Sequence, residues 1–291
     1  MRKDGKRLRD VNPMYTIVPY IMCERNDALN NVTVKIPYAP LHSYLNASRK
    51  KGEPISHMAV MLAAYVRVLT QYPVLNRFVV NRKVYAHNDI KVSLVVLKPG
   101  SESDETMGKI DLALEDTIFD VNRKINEYVE VSRNIEESNS MDKLVSALTR
   151  IPGLLRVAVG LLKWMDKHGI MPKSIIDASP FHTSLTISNL ASIRTKEIYH
   201  HIYNFGTTSL FITMGSPEKT VEMVDGEPKE VRYLPLGVVM DERIASGLEY
   251  AQAFRKFAHY MEHPEVLEQP PESIKLDSPF VKKEKKKKKE K

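Results

Sequence analysis

Leu236-Gly237-Val238-Val239-Met240-Asp241-Glu242-Arg243-Ile244-Ala245-Ser246-Gly247-Leu248-Glu249-Tyr250-Ala251 decides how this chain is read. Val231 to Met240 is dense in β-branched and large apolar residues and reads as a strand. After Gly247 the pattern changes to a ladder, Ala251, Phe254, Phe257, Ala258 and Met261, at helical spacing, and it stops before Pro264. Between the two lies Asp241-Glu242-Arg243, three charged residues at a strand end, a common place for active groups.

Upstream of this strand, Asp225-Gly226 is a favoured hairpin turn joining it to Val221-Glu222-Met223-Val224. Thr207 to Met214 and the alternating Thr183 to Ser188 are further strands. Thr186-Ile187-Ser188-Asn189 ends the second of these, 54 residues before Glu242. In the first half, Val32, Val34 and Ile36 alternate with polar residues in a strand, and a helix follows over Leu41 to Lys51. Ser56 caps a second helix whose Met58, Met61, Leu62, Tyr65, Val66 and Leu69 recur at three and four. Val79 to Tyr85 reads as a hairpin turning at Asn81 and Arg82, Ile90 to Leu97 as a buried strand, Pro99 to Asp104 as a loop and Thr106 to Leu114 as another strand. Thr117 to Arg133 is amphipathic, with Ile118, Val121, Ile125, Tyr128 and Val129 on one face; a polar break runs from Asn134 to Ser140. Leu154 to His168 is the most apolar helix, interrupted by Arg156, Lys163 and Lys167 and closed by Gly169. Residues 1–29 read as polar and irregular. Strands and helices without regular alternation imply an α+β two-layer sandwich, a mixed sheet with flanking helices, rather than a doubly wound sheet.

The chain has 291 residues, 43% of them hydrophobic, enough for a large core. Its formal charge of +7 suggests a nucleic-acid binder until the charge is located: Lys282 to Lys291 holds eight lysines and two glutamates, which accounts for nearly all of it. The basic balance therefore belongs to a solvated tail, and no specific nucleic-acid partner is expected. One cysteine, Cys23, excludes an internal disulfide and a multi-cysteine metal centre, and no metal is expected. No secretory signal and no membrane-spanning run is present, so a cytoplasmic protein is expected.

Taken together, the segments resemble the catalytic core of the dihydrolipoamide acyltransferases of 2-oxoacid dehydrogenase complexes, which are related to chloramphenicol acetyltransferase. The resemblance rests on a colinear set: Ser56 to Leu69, Tyr72-Pro73-Val74-Leu75-Asn76, Ile90 to Leu97, Thr186 to Asn189, Ser209 to Gly215, Asp225-Gly226, Asp241-Glu242-Arg243, Gly247 and Glu262-His263-Pro264-Glu265. It divides the chain into a polar extension (1–14), an acyltransferase-like domain (15–267) carrying an apolar helical insertion (140–172), and a disordered lysine-rich tail (268–291). It implies a chloramphenicol acetyltransferase-like fold, a homotrimer with sites between subunits, a coenzyme A thioester as cofactor, and acyl transfer between coenzyme A and a thiol. No lipoyl domain is expected in this chain, and the cofactor-binding residues are not identified by it.

By that resemblance the site residues are Ser188, matching the serine that supports the tetrahedral oxyanion, Glu242 where the family has its catalytic histidine, and Ser246 where it has an aspartate or asparagine. The replacement matters chemically. A base near pKa 6.5 suits taking a thiol proton and returning it. A free carboxylate at about 4.3 faces a thiol at about 8.5, a mismatch costing roughly 5–6 kcal/mol unless burial raises it. Glu242 is thus read either as a replacement base or as a strand-end glutamate in an ion pair, with Arg243 or a neighbour, in a catalytically silent scaffold or pseudoenzyme. His182 reads as a strand-end histidine. At most one of His200 and His201 could face a site. His57 and His87 read as surface or helix-start residues, and Cys23 not as a nucleophile. The helix Leu154 to His168 reads as a core element, a subunit contact, or, with the lysine tail, a weak membrane-surface contact.

Overall fold

The computed structural model describes residues 2–97, 105–134 and 150–277, so the Pro99 to Asp104 loop, most of the Asn134 to Ser140 break and the tail beyond Asp277 lie outside it. The first part of the expected tail is bound to the domain, Asp277 to Arg77 at 2.5 Å and the Lys275 N–H to the Thr70 carbonyl at 2.8 Å. The longest strand, β10 (Glu227–Asp241), organises the chain. Its first half forms a hairpin with β9 (Glu218–Val224) through Asp225-Gly226, both at positive φ (56° and 82°) as a tight two-residue turn requires. Its second half enters a seven-stranded sheet. There it pairs antiparallel with β2 (Leu29–Pro37) on one side and β8 (Leu210–Met214) on the other. The sheet continues through β7 (Leu185–Asn189) and β5 (Ile90–Leu97), both in parallel pairings, to antiparallel β6 (Glu105–Leu112). This is the mixed sheet expected. A separate antiparallel sheet joins β1 (Gly5–Arg7), β4 (Lys83–His87) and β3 (Arg77–Val80), with Asn81 and Arg82 at φ 50° and 58° in the β3–β4 turn.

One face of the large sheet is apolar because its strands alternate. Leu234, Leu236, Val238 and Met240 share it with Ile36, Ile212, Met214, Ile187 and Val92. Helix α3 (His57–Leu69) is buried from Ala59 to Leu69, as a helix apolar all round must be. Ser56 caps it, accepting from the Ala59 N–H at 3.1 Å. It packs between α4 (Ile118–Asn134) and the last helix, α7 (Gly247–Glu262), while α2 (Tyr38–Lys50) lies along β10.

The opposite face is less apolar. Val239, Phe211 and Ile202 form a small cluster there, and Ser93, Thr186, Ser209 and Thr213 are buried beside it. The irregular segment from Arg194 to Gly206 covers this face. The Thr213 hydroxyl donates to the Ile198 carbonyl at 2.6 Å and accepts from the Ile198 N–H at 3.1 Å. Gly237 lies beneath the same segment, which leaves no room for a side chain there.

Three expectations need correction. Residues 1–29 are not irregular: Arg2 is buried, β1 pairs with β4, and α1 (Pro13–Ile21) forms with Asn12 as its cap, Pro13 in its first turn and Pro19 inside it. His87 is not a surface residue. It packs on Phe78 at 4.5 Å, and burial pushes its imidazole down to about 4. The apolar helix, α5 (Leu154–His168), is not core in the single chain; Val157, Leu161 and Trp164 are exposed and its one buried residue is Asp166. A short helix, α6 (Lys173–Ala178), comes next. Among the described residues no helix is long and apolar enough to cross a membrane.

Replacing Gly237 by alanine puts a methyl carbon about 2.7 Å from Thr213 Oγ1 and against the Ile198 backbone. Overpacking of this kind costs about 1–3 kcal/mol. The Gly237→Ala urea midpoint should fall accordingly, with the m-value unchanged; an unshifted midpoint would mean that the 194–206 segment does not pack on the sheet in solution.

Candidate active site

Asp241 ends β10 on the sheet face away from the helices and is fully buried. A carboxylate there requires compensation, and two arginines supply it. Arg243 grips both oxygens, Nε to Oδ1 and Nη2 to Oδ2, each at 2.8 Å, and its backbone N–H donates to Oδ1 at 3.1 Å. Arg25 Nε stands 3.5 Å from Oδ2. The rest of the Arg25 guanidinium donates to the carbonyls of Tyr203, Phe205 and Gly206. Burial pushes the Arg25 pKa down, and Asp241 works against that shift. Arg243 Nη1 reaches the Cys23 carbonyl at 3.2 Å, and Tyr250 Oη donates to the Asp241 carbonyl at 2.8 Å. One carboxylate thus ties together the loop before β2, the 203–206 segment, the end of β10 and the start of α7.

This clamp corrects the ion pair expected of Glu242. Asp241, the last residue of β10, lies on the face under the 203–206 segment and takes Arg243. Glu242 follows the end of the strand, beyond the cover of either face. The Glu242 side chain is exposed, and no described residue bonds its carboxylate; its N–H donates to the Ala28 carbonyl at 2.8 Å. Ser246 is the α7 cap. Its Oγ accepts from the Glu249 N–H at 3.2 Å, and its own N–H donates to Glu249 Oε2 at 2.8 Å, a reciprocal capping box. Tyr15 closes the arrangement by donating to Glu249, which ties α1 to α7.

Ser188 is half-buried and pairs with Thr213, which in turn faces Gly237 on β10. Two strand spacings across and five residues along put Ser188 and Glu242 about 19 Å apart. One chain therefore does not bring Ser188 together with Glu242 and Ser246.

The histidines have structural partners. His182 is buried, 2.8 Å from Ser179 Oγ through Nδ1 and 3.4 Å from Asp166 through Nε2. His57 opens α3 and stacks on Tyr38, and burial lowers its pKa. His200 stacks on His201 and Phe211. The ligand atoms of Asp4, Asp166 and His182 lie within 4.8 Å of one another, but Arg2 Nη2 stands between the carboxylates, 2.7 Å from Asp4 and 2.6 Å from Asp166, and supplies the positive charge they need. Burial alone would raise the Asp166 carboxyl; His182 and Arg2 outweigh it and hold it down to about 2. Arg2, Arg25 and Asp166 escaped the sequence reading because the Arg2–Asp166 and Arg25–Tyr203 contacts span 164 and 178 positions and no local pattern marks them.

No protein-family model matches the chain, and a search of curated proteins finds no match. Solved structures do match. One is a probable dihydrolipoamide acetyltransferase from Listeria monocytogenes, 15% identical, with a TM-score of 0.56 over 89% of this chain and 95% of that one. A second is the dihydrolipoamide acetyltransferase of Azotobacter vinelandii, in whose catalytic mechanism a serine, a histidine and an asparagine have been investigated. It is 13% identical, with a TM-score of 0.56 over 82% of this chain and 83% of that one. The third is a chloramphenicol acetyltransferase, 9% identical, with a TM-score of 0.54 over 88% and 99%. The chain has the fold of these acetyltransferases.

Removing the charge of Asp241 leaves two arginines in one buried site. Asp241→Asn should cost about 3–5 kcal/mol in chemical denaturation, and a loss under about 1 kcal/mol would contradict the clamp. The depressed Asp166 carboxyl stabilises the fold above its unfolded value of about 3.9, and that contribution is lost as pH falls toward 2. In acid titrations followed by circular dichroism, Asp166→Asn should therefore lose stability at pH 6 and show a flatter decline between about pH 4 and 2 than the unaltered chain.

Proposed function

We propose that this chain is a coenzyme A-dependent acyltransferase-like protein that acts as a homotrimer. Acyl groups pass between coenzyme A and a thiol acceptor at a site completed by a second copy. Glu242 takes the thiol proton, and Ser188 donates to the oxyanion. The observation that carries this reading is the buried Asp241–Arg243 pair, which holds residue 242 at the strand end and turns it out of the subunit. Ser188, Glu242 and Ser246 stand in the same order, and at nearly the same spacing, as the serine, histidine and asparagine of the Azotobacter protein. The separation within one chain and the outward aim of Glu242 support completion by a neighbour. The exposed stripe Val157, Leu161 and Trp164 on α5 supports a further contact, with a subunit or a membrane surface.

The chemistry asked of Glu242 is demanding. A mismatch of about 4 pKa units amounts to about 10⁴ in rate unless the trimer buries the carboxylate. A second reading comes from Ser246, whose side chain and N–H are both committed to the cap. The chain would then be a silent trimer that binds coenzyme A without turnover.

With acetyl-CoA and dihydrolipoamide as substrates, turnover should be slow and lost in Glu242→Gln. It should fall about 10²-fold in Ser188→Ala, the usual cost of one oxyanion donor. Glu242→His should raise it by two orders of magnitude or more. Turnover indifferent to all three changes rejects the assigned roles, and coenzyme A binding with no turnover in any of them selects the silent trimer.

A further inference from the structure

A cavity of about 480 Å³ opens beside the Asp241 clamp. Five separate segments meet around it: Cys23 to Arg25, the β3–β4 turn, the second half of α5, Asn204 to Gly206, and Arg243. None of its lining residues is Ser188, Glu242 or Ser246, so the cavity is built from residues other than those assigned to acyl transfer.

The charges lining the cavity fall into two groups. At the floor they are matched: Arg25 and Arg243 share Asp241, and Arg2 bridges Asp166 and Asp4, three cations against three carboxylates. The rim is unmatched. Arg82, Lys163 and Lys167 line the cavity, and no carboxylate among the described residues pairs with any of them. Arg82 lies 5.3 Å from the Tyr20 ring centre and 3.8 Å from Cys23 Sγ, contacts that place its guanidinium without neutralising it. The rim's one acid is Glu24, which leaves about two positive charges. Lys163 and Lys167 stand four apart on one helix face, where like charges cost a few tenths of a kcal/mol. Burial of Asp166, between them in sequence, fixes the helix rotation that brings both to the cavity. Within the wall, Arg25 is buried and its Nε has no hydrogen-bond partner. Val79, Val80 and Phe205 add an apolar side.

We propose that this cavity binds a phosphate-bearing small molecule. Its phosphate dianion would sit among Arg82, Lys163 and Lys167, and its organic part would lie against Val79, Val80 and Phe205. Two surplus positive charges match a phosphomonoester dianion, and both lysine and arginine are suited to phosphate. A single carboxylate would leave half of the charge unmatched. The volume exceeds that of phosphate alone and admits a body of metabolite size.

Inorganic pyrophosphate is the probe, titrated calorimetrically into the full chain at low ionic strength. The lysine tail attracts the same anion, so each variant keeps it. Lys163→Ala with Lys167→Ala should weaken the site at least tenfold. Arg82→Asn, which suits the positive φ of the turn, should weaken it several-fold. Cys23, the chain's one cysteine, lies in the cavity wall and gives a local readout that tail-bound anion does not move. Saturating pyrophosphate should slow its alkylation by iodoacetamide in the unaltered chain and not in the double variant. Absent binding, binding that neither variant weakens, or alkylation of Cys23 at an unchanged rate would each overturn the proposal.

Discussion

The Asp241 carboxylate, buried at the end of the central strand and shared by Arg243 and Arg25, is the contact on which the rest of the architecture converges. Isolated, a buried carboxylate is strongly unfavourable, and its tolerance here depends on two guanidinium partners whose own remaining donors end on backbone carbonyls. Those carbonyls belong to Met22, Cys23, Tyr203, Phe205 and Gly206, so one charge fixes the approach to β2 and the segment that crosses the sheet. The same residue anchors α7 through Tyr250. Position 242 owes its place to this arrangement, whichever side chain occupies it.

The two faces of the sheet divide the work. The helical face is a conventional apolar core built from alternating Val, Ile, Leu and Met. The other face carries buried serines and threonines under a segment without regular structure, and its polar groups are met by that segment's backbone, as Thr213 is by Ile198. At the edge of this face Asp166 holds α5 by its polar side while leaving much of its apolar side in solvent. Arg2, His182 and the Gly206 N–H all meet Asp166, while Leu161 and Trp164 stay exposed.

Strong local signals were legible in the sequence. Alternation gave the strands, Asn81-Arg82 and Asp225-Gly226 gave the hairpin turns, and Ser56 gave the start of α3, because each rests on near-neighbour geometry. Helix α1 was hidden by its prolines, although Asn12 before Pro13 is itself a helix-start signal. The charge pairing at the candidate site was misread for a similar reason. Glu242 and Asp241 carry the same charge, and only the point at which β10 ends decides which one is covered and takes Arg243. Arg25, Arg2 and the lysines of α5 were beyond reach, since their significance lies in partners contributed by distant segments. Ser246 was recognised as a departure from a pattern, but its role as a cap becomes visible only with Glu249 and Tyr15 around it.

The central claim is that the clamp holds position 242 exposed and far from position 188 of the same chain, so that the proposed trimer would have to bring the two together from different copies. Cysteines placed at both positions, Ser188→Cys with Glu242→Cys in a Cys23→Ser background, test this directly with a short thiol-specific cross-linker. The account predicts covalent dimers and trimers on a denaturing gel, absent from either single-cysteine chain. Efficient cross-linking within single chains, with no higher species at any protein concentration, would contradict it.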